Sequence, residues 1–346
     1  MNQTDRVSQP VLQIEDLHVT YRHRGWRRAP VRAVDGVSFS VQAGETVGLV
    51  GESGSGKSTI GRAILGLVQP STGRIALHGR ERTAHGSAKR LADVVQAVFQ
   101  DPYSSLNPSR TIGRTLTEPL EVQRRLGRKD AEREIHRLLE SVSLPAESAA
   151  RYPHSFSGGQ RQRIAIARSL ATGPELVVCD EALSALDLLT QAHVLNLLRR
   201  LQRERGIAFL FIAHNLPVVA QLADRVIVLY RGRVMEQGPA LEIHQAPLHP
   251  YAVALLAAVP VPDPNAQLRR RAIRAQAIAV DTANAVDPPE HGCPFAPRCA
   301  YADDVCWTTR PNDVRVDRRV VTCHLFDPQS GHSQATTPSQ GWAREP

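Results

Sequence analysis

Lysine is nearly absent from this sequence: it stands only at Lys57, Lys89 and Lys129, so arginine carries almost all of the positive charge. A formal net charge of +8 over 346 residues, spread thinly in this way, reads as a compositional preference more than a built phosphate-binding face. It argues against a nucleic-acid partner and leaves contact with other anionic surfaces open. Long apolar runs are missing too. None approaches the ~20 residues that cross a bilayer, so no membrane-spanning helix is expected. The opening MNQTDRVSQPVLQIEDL lacks the apolar centre of a secretory signal, and the chain is expected to stay in the cytosol. Cysteine is scarce and uneven. Cys179 stands alone, while Cys293, Cys299, Cys306 and Cys323 crowd together near the end. A reducing compartment argues against disulfides among them, which leaves metal ligands or free thiols. No internal repeat is present. What remains, 42% hydrophobic and 22% charged residues, suits a globular protein with a full core and two domains.

Against so little lysine, Lys57 is conspicuous. It lies in GLVGESGSGKSTIGRAILGL, where Gly51 to Ser58 fits G-x-x-x-x-G-K-[ST]. An apolar run, ETVGLV, precedes the motif, and apolar residues at helical spacing follow it. Gly51, Gly54 and Gly56 let the backbone curl so that its N–H groups, those of Ser53 and Ser55 included, point inward at phosphate oxygens. The helix opened by Ser58 and Thr59 adds its positive end. Lys57 is placed to reach the β- and γ-phosphates, and the Ser58 hydroxyl to hold Mg²⁺. The pattern implies a nucleotide site.

Downstream, PELVVCDEALSALD contains a short apolar strand that ends in Asp180 and Glu181. Two carboxylates at the C-terminal edge of a parallel strand lie where α/β sheets place their chemistry. Asp180 would hold Mg²⁺ through its water shell, and Glu181 would orient or deprotonate an attacking water. A strand followed by an acidic turn is also common without any chemistry. Cys179, inside that strand, reads as a small buried apolar residue. Between the two motifs lies YPHSFSGGQRQRIAIARSLA, in which Ser157 reads as an N-cap. Gly158 and Gly159 leave the first amides of the next helix bare, forming a second anion-binding terminus.

These pieces resemble, in order over roughly the first 240 residues, the motifs of ABC ATPases. FSGGQ resembles the signature motif, with Phe156 where most members carry Leu. The resemblance implies roles for other residues: Tyr21 as the aromatic that stacks on adenine, Gln100 as the Q-loop residue that senses Mg²⁺ and the permease, Ser184 to Asp187 as the D-loop, and His214 as the switch histidine. It also implies a head-to-tail pair in which Ser157, Gly158, Gly159 and Gln160 close over ATP held by the partner's phosphate loop. Two departures, Ala182 in place of a Pro and Asn215 in place of an Asp, remove no catalytic group. FQDPYSSLNPSRTIG and APLHPYAVALLAAVPVPDP narrow the resemblance to ATPases of dipeptide, oligopeptide and nickel importers, on the side of the F-type subunit. That implies a D-type paralogue, two transmembrane permeases, an extracytoplasmic substrate-binding protein, and a peripheral place on the cytoplasmic face of the membrane. Nickel or another small solute is the alternative cargo. An ATPase acting on nucleic acid is a further one, disfavoured because Lys57 and Asp180 are joined without a sustained coiled coil.

The expected fold is α/β, a P-loop core with an antiparallel β subdomain and an inserted helical subdomain at about 101–170, within a nucleotide-binding domain at 1–240. There Ile135, Leu138, Leu139 and Val142 share one helix face. From about Pro239 the Pro-rich stretches are expected to mark a linker and an accessory region at 241–328, and 329–346 a disordered tail. The cysteine spacing C-x₅-C-x₆-C-x₁₆-C lacks the tight hooks of structural zinc, while four thiolates make a complete ligand set for an iron–sulfur cluster. Free thiols and zinc stay open. GCPFAPRCAYADDVC…TCHL resembles the importer segment whose four matching cysteines can hold a four-iron, four-sulfur cluster, and that resemblance favours the cluster.

Overall fold

The computed structural model describes residues 9–21, 30–82, 88–101, 105–278 and 287–335. In chain order the strands and helices begin with β1 (Leu12–Tyr21), β2 (Val31–Val41), β3 (Thr46–Val50), α1 (Lys57–Ile64), β4 (Thr72–Leu77) and β5 (Arg80–Glu81). Next come α2 (Ala88–Val94), β6 (Val95–Val98), α3 (Ile112–Val122), α4 (Arg128–Ser141), α5 (Gly158–Leu170), β7 (Leu176–Asp180), α6 (Leu188–Arg205) and β8 (Ala208–Ala213). The rest are α7 (Leu216–Ala220), β9 (Arg225–Tyr230), β10 (Arg233–Pro239), α8 (Ala240–Gln245), α9 (Pro250–Ala257), α10 (Pro264–Ala277), α11 (Asp304–Thr308), β11 (Asp313–Val316) and β12 (Arg319–Thr322).

By contact the described residues fall into two units. One is drawn from 1–17, 38–46 and 58–213, the other from 18–37, 47–57 and 214–346. In the first, β6, β7 and β8 run parallel, with Val95 opposite Leu176 and Leu176 opposite Ala208. β7 and β8 are buried along nearly their whole length, which is why LVVCD and AFLFIA read as continuous apolar runs instead of alternating ones. β1 alternates as an antiparallel-layer strand should, but Asp16 has φ 46°. The buried set therefore shifts phase, from Leu12 and Ile14 to Leu17 and Val19. The expected helical insertion forms as α3, α4 and α5, and Ile135, Leu138, Leu139 and Val142 are all buried. Pro102 to Ser104, within the FQDPYSSLNPSRTIG stretch, lie outside the described residues.

In the second unit β3 runs parallel to β9 (Val47 opposite Arg225), β9 pairs antiparallel with β10, and β10 with β12. The C-terminal segment thus extends a sheet. The Pro-rich stretch after Pro239 is no linker. Pro250 opens α9, whose residues are buried except Leu256, and Pro264 opens α10. Proline fits there because the first helical N–H has no intrahelical partner to lose. Order also continues past 328. His332 is buried, its Nε2 sits 2.8 Å from the Tyr301 carbonyl oxygen, and Ser333 N donates to Asp303 at 2.7 Å. Residues 336–346 lie outside the described residues.

Candidate functional site

The phosphate loop follows β3 and wraps a lysine. Lys57 is buried, and its Nζ donates to the carbonyls of Gly51 and Glu52, each at 2.8 Å, and to Ser55 Oγ at 3.2 Å. The loop needs glycine where the backbone is tightest. Gly56 has φ +100°, and a Cβ there would fall 2.2 Å from the Ala33 carbonyl oxygen. A Cβ on Gly51 would fall as close, 2.1 Å from the Leu229 carbonyl oxygen. A positive ammonium inside a ring of amides suits a polyphosphate.

One turn on, Ser58 Oγ donates to Asp180 Oδ1 at 2.9 Å across 122 residues of chain. The structure therefore joins the two residues expected to share Mg²⁺, and a hydroxyl and a carboxylate are the hard oxygen donors that this ion prefers. Glu181 sits in the left-handed region at φ 49°. Its N–H donates to the Ile212 carbonyl at 2.9 Å, and its own carbonyl accepts from Ser184 N and Ser184 Oγ. A non-glycine residue held in the left-handed region costs about 1 kcal/mol or more. Gln100 is exposed just past β6, at the same C-terminal edge as Asp180. β8 runs directly into His214, and Tyr21 stands at the end of β1, 37% exposed.

The signature segment forms the helix start that its sequence implies. Ser157 Oγ accepts from Gln160 N at 3.3 Å while Gln160 Oε1 accepts from Ser157 N at 3.0 Å, a complete capping box. Asp187, expected in the D-loop, caps α6 by accepting from Thr190 N and Thr190 Oγ1. Those hydrogen bonds, the backbone one first, hold its carboxyl below the usual range. The two elements touch: the nearest atom to a Cβ on Gly159 would be Thr190 Cγ2. The departures from the family pattern are packed or capped. Phe156 is buried under the Arg151 guanidinium, Ala182 is buried, and Asn215 Oδ1 accepts from Val218 N to cap α7.

Cys179 is buried in β7 and its thiol is pushed up to about 12 by burial, as an inert core thiol should be. The other four cysteines converge. Cys293, Cys299, Cys306 and Cys323 line one small cavity with His249, Phe295 and Tyr301. Cys293 N donates to the Cys306 carbonyl at 2.7 Å. Burial pushes Cys293 up to about 11 and Cys299 up to about 12, and each of the other three thiols adds to the rise at Cys323. Among the described residues no group of three or more His, Cys, Asp or Glu is arranged to hold a single metal ion.

Sequence reasoning missed one part of the site. Arg298, one residue before Cys299, grips Glu52 of the phosphate loop with both Nη atoms, at 2.7 and 2.9 Å, and Tyr251 Oη accepts from Glu52 N at 2.8 Å. No motif or spacing flags this contact; the partners lie 246 residues apart.

Comparison with known proteins adds the following. Residues 34–184 match the ABC transporter family model, and residues 235–306 match that of the oligopeptide/dipeptide transporter C-terminal region. A Brucella abortus (strain 2308) protein named for peptide import ATP binding is 46% identical over 316 residues, 90% of this chain and 92% of its own. The oligopeptide transport ATP-binding protein of Salmonella typhimurium is 41% identical over 337 residues, 95% and 100% of the two chains. A solved subunit of a Clostridium perfringens ABC transporter complex superposes with TM-score 0.61 at 25% identity, covering 68% of this chain and 90% of that one. A dimeric ATP-binding cassette with ADP and Pi bound superposes with TM-score 0.59 at 28% identity, covering 66% and 98%.

Proposed function

Since this chain belongs to the ABC transporter family and is an ATP hydrolase carrying the C-terminal region of the oligopeptide/dipeptide branch, we propose that it powers the import of peptides through partner permeases. The observation that carries the reading is the coexistence, in one chain, of the Ser58–Asp180 pair beside the phosphate loop and that C-terminal region. Lys57 and the loop amides from Gly51 to Thr59, that of Glu52 excepted, bind the phosphates of ATP, and Tyr21 takes the adenine. Ser58, Asp180 and Gln100 are the residues that would hold Mg²⁺, which would supply neutralisation of the phosphate charge. Glu181 orients the attacking water and accepts its proton as the γ-phosphoryl group leaves ADP, while His214 donates toward the γ-phosphate. Ser157 to Gln160 serve the nucleotide of the partner subunit, and Ser184 and Asp187 line the seam between the two.

In this reading the partner ATPase is a D-type paralogue, cargo comes from an extracytoplasmic binding protein, and the chain sits peripherally on the cytoplasmic face of the membrane. A pocket lined by exposed Leu67, Phe99 and Val122, beside Gln96 and Arg168, supports a permease contact next to the Q-loop. No helix among the described residues is long and apolar enough to cross a membrane. Affinity capture of the tagged chain from membranes should bring down two permeases and a second ATPase, with hydrolysis stimulated by peptide-loaded binding protein. Stimulation by nickel instead, or recovery of nucleic acid without permeases, would refute the reading.

The four thiols that line one small cavity also support the reading that Cys293, Cys299, Cys306 and Cys323 would hold a four-iron, four-sulfur cluster. Such a group would cross-link a short segment and requires the deprotonation that burial otherwise opposes. Protein purified without oxygen should be brown, contain iron and acid-labile sulfide, and lose colour in Cys299→Ser. An iron-free, colourless preparation folded through residue 323 would rule the cluster out.

A further inference from the structure

Glu52 is an odd residue to find inside a loop built for a polyanion, because its charge repels what the loop binds. Every polar group it has is nevertheless engaged. Its N–H donates to Tyr251 Oη at 2.8 Å, which removes one loop amide from those facing phosphate. Its carbonyl accepts from Lys57 Nζ at 2.8 Å and from Ser55 N at 3.2 Å. Its carboxylate receives the two-pronged ion pair from Arg298, the geometry that a guanidinium offers and an ammonium does not.

The other side of this contact is closely packed. Tyr251 and Phe295 are fully buried, and Tyr230 nearly so. Tyr230 packs tilted on Tyr251 at 4.6 Å and edge-on to Phe295 at 5.3 Å between ring centroids. The Arg298 guanidinium lies 5.7 Å from the Tyr230 ring and 5.6 Å from the Phe295 ring, and donates to Tyr230 Oη at 3.4 Å. Phe295 and Arg298 both belong to the short stretch between Cys293 and Cys299, so the shape of that stretch is fixed onto Glu52.

We infer that Arg298 and Tyr251 are positioning residues for the phosphate loop, through which the cysteine-bearing C-terminal region controls the affinity for ATP. Arg298 cancels the unfavourable charge of Glu52, Tyr251 selects which amides face the nucleotide, and the Glu52 carbonyl in turn places Lys57. This rests on the assignment of the loop as an ATP site and not on the identity of the cargo.

The test is Mg·ATP binding by the full chain, measured by calorimetry with thermal melting as a check on folding. Arg298→Met should weaken binding about 3- to 10-fold, as expected for a bidentate pair that is partly exposed. Arg298→Lys should fall between it and the parent, and Tyr251→Phe should also weaken binding. Adding Glu52→Gln to Arg298→Met should restore most of the affinity, because it removes the orphaned charge. In the assembled transporter the KM for ATP should rise more than kcat falls. Arg318, which pairs with Glu242 instead, provides the control: Arg318→Met should bind as the parent does. Equal binding by the folded Arg298→Met and Arg318→Met proteins, or a double variant weaker than Arg298→Met, would overturn the inference alone. Parent protein that binds ATP no better than Lys57→Ala would overturn the nucleotide site and this inference with it.

Discussion

The glycines of the signature segment should separate packing from chemistry. A Cβ on Gly159 would lie 2.3 Å from Thr190 Cγ2, against an ordinary carbon contact of about 3.5–4.0 Å. Thr190 has little freedom to turn away, because its Oγ1 is bonded to Asp187 Oδ2 at 2.7 Å and its N–H to Asp187 Oδ1 at 3.0 Å. Overpacking of this kind costs about 1–3 kcal/mol, and the helix preference of Ala over Gly returns up to about 1 kcal/mol. Gly159→Ala should thus destabilise the protein by about 1–2 kcal/mol, a fall of roughly 1–3 °C in Tm. A Cβ on Gly158 meets only Leu186 Cδ2, at 4.0 Å, so Gly158→Ala should melt like the parent. If the bare amides at this helix start close over a partner's nucleotide, Gly158→Ala should still slow hydrolysis in the assembled transporter. Thr190→Ser deletes the offending methyl and keeps the capping hydroxyl, and should return most of the stability lost in Gly159→Ala. The measurements are thermal unfolding of the four proteins and ATP turnover of the complexes. A Gly159→Ala protein as stable as the parent, or one not rescued by Thr190→Ser, would refute the reasoning.

Three further outcomes are expected. Glu181→Gln should retain ATP binding and lower turnover by about 10²–10⁴, read by single-turnover hydrolysis; near-normal rates would remove Glu181 from the chemistry. Glu236 is buried, and burial outweighs the N–H donors of Leu248 and His249 and the charge of Arg319 to raise its carboxyl to about 7. The folded chain therefore holds this proton more tightly than the unfolded one, so its stabilisation is full below about 4.5 and fades as pH rises through 7. On the order of 3 kcal/mol is at stake; melting between pH 5 and 8 should fall more steeply for the parent than for Glu236→Gln, and parallel curves would contradict it. Cys179→Ser places a hydroxyl in a strand whose thiol is fully buried and should cost about 1–3 kcal/mol by denaturant titration, whereas a neutral result would mean that the new hydroxyl finds a partner.

Much of the site was legible because its parts are local. Glycine spacing determines a loop of inward amides, Ser157 and Gln160 form a capping box three residues apart, and unbroken apolar runs announce β7 and β8. The ends of those runs placed Asp180, Glu181 and His214 in advance. The misreadings came from the same local habit. Prolines after residue 239 look like a linker until Pro250 and Pro264 are found opening helices, and the polar tail looks unpacked until His332 is seen buried against Tyr301.

By itself, then, the sequence determined those features whose physics is contained within a few neighbouring residues: the phosphate loop, the caps and the buried strands. The tertiary structure alone decided which distant residues meet. It set the Thr190 methyl against Gly159, drew Cys293, Cys299, Cys306 and Cys323 around one cavity, and brought Arg298 across 246 residues onto Glu52. Such contacts arise when whole strands and helices pack to bury apolar area, a long-range outcome that no run of adjacent residues encodes.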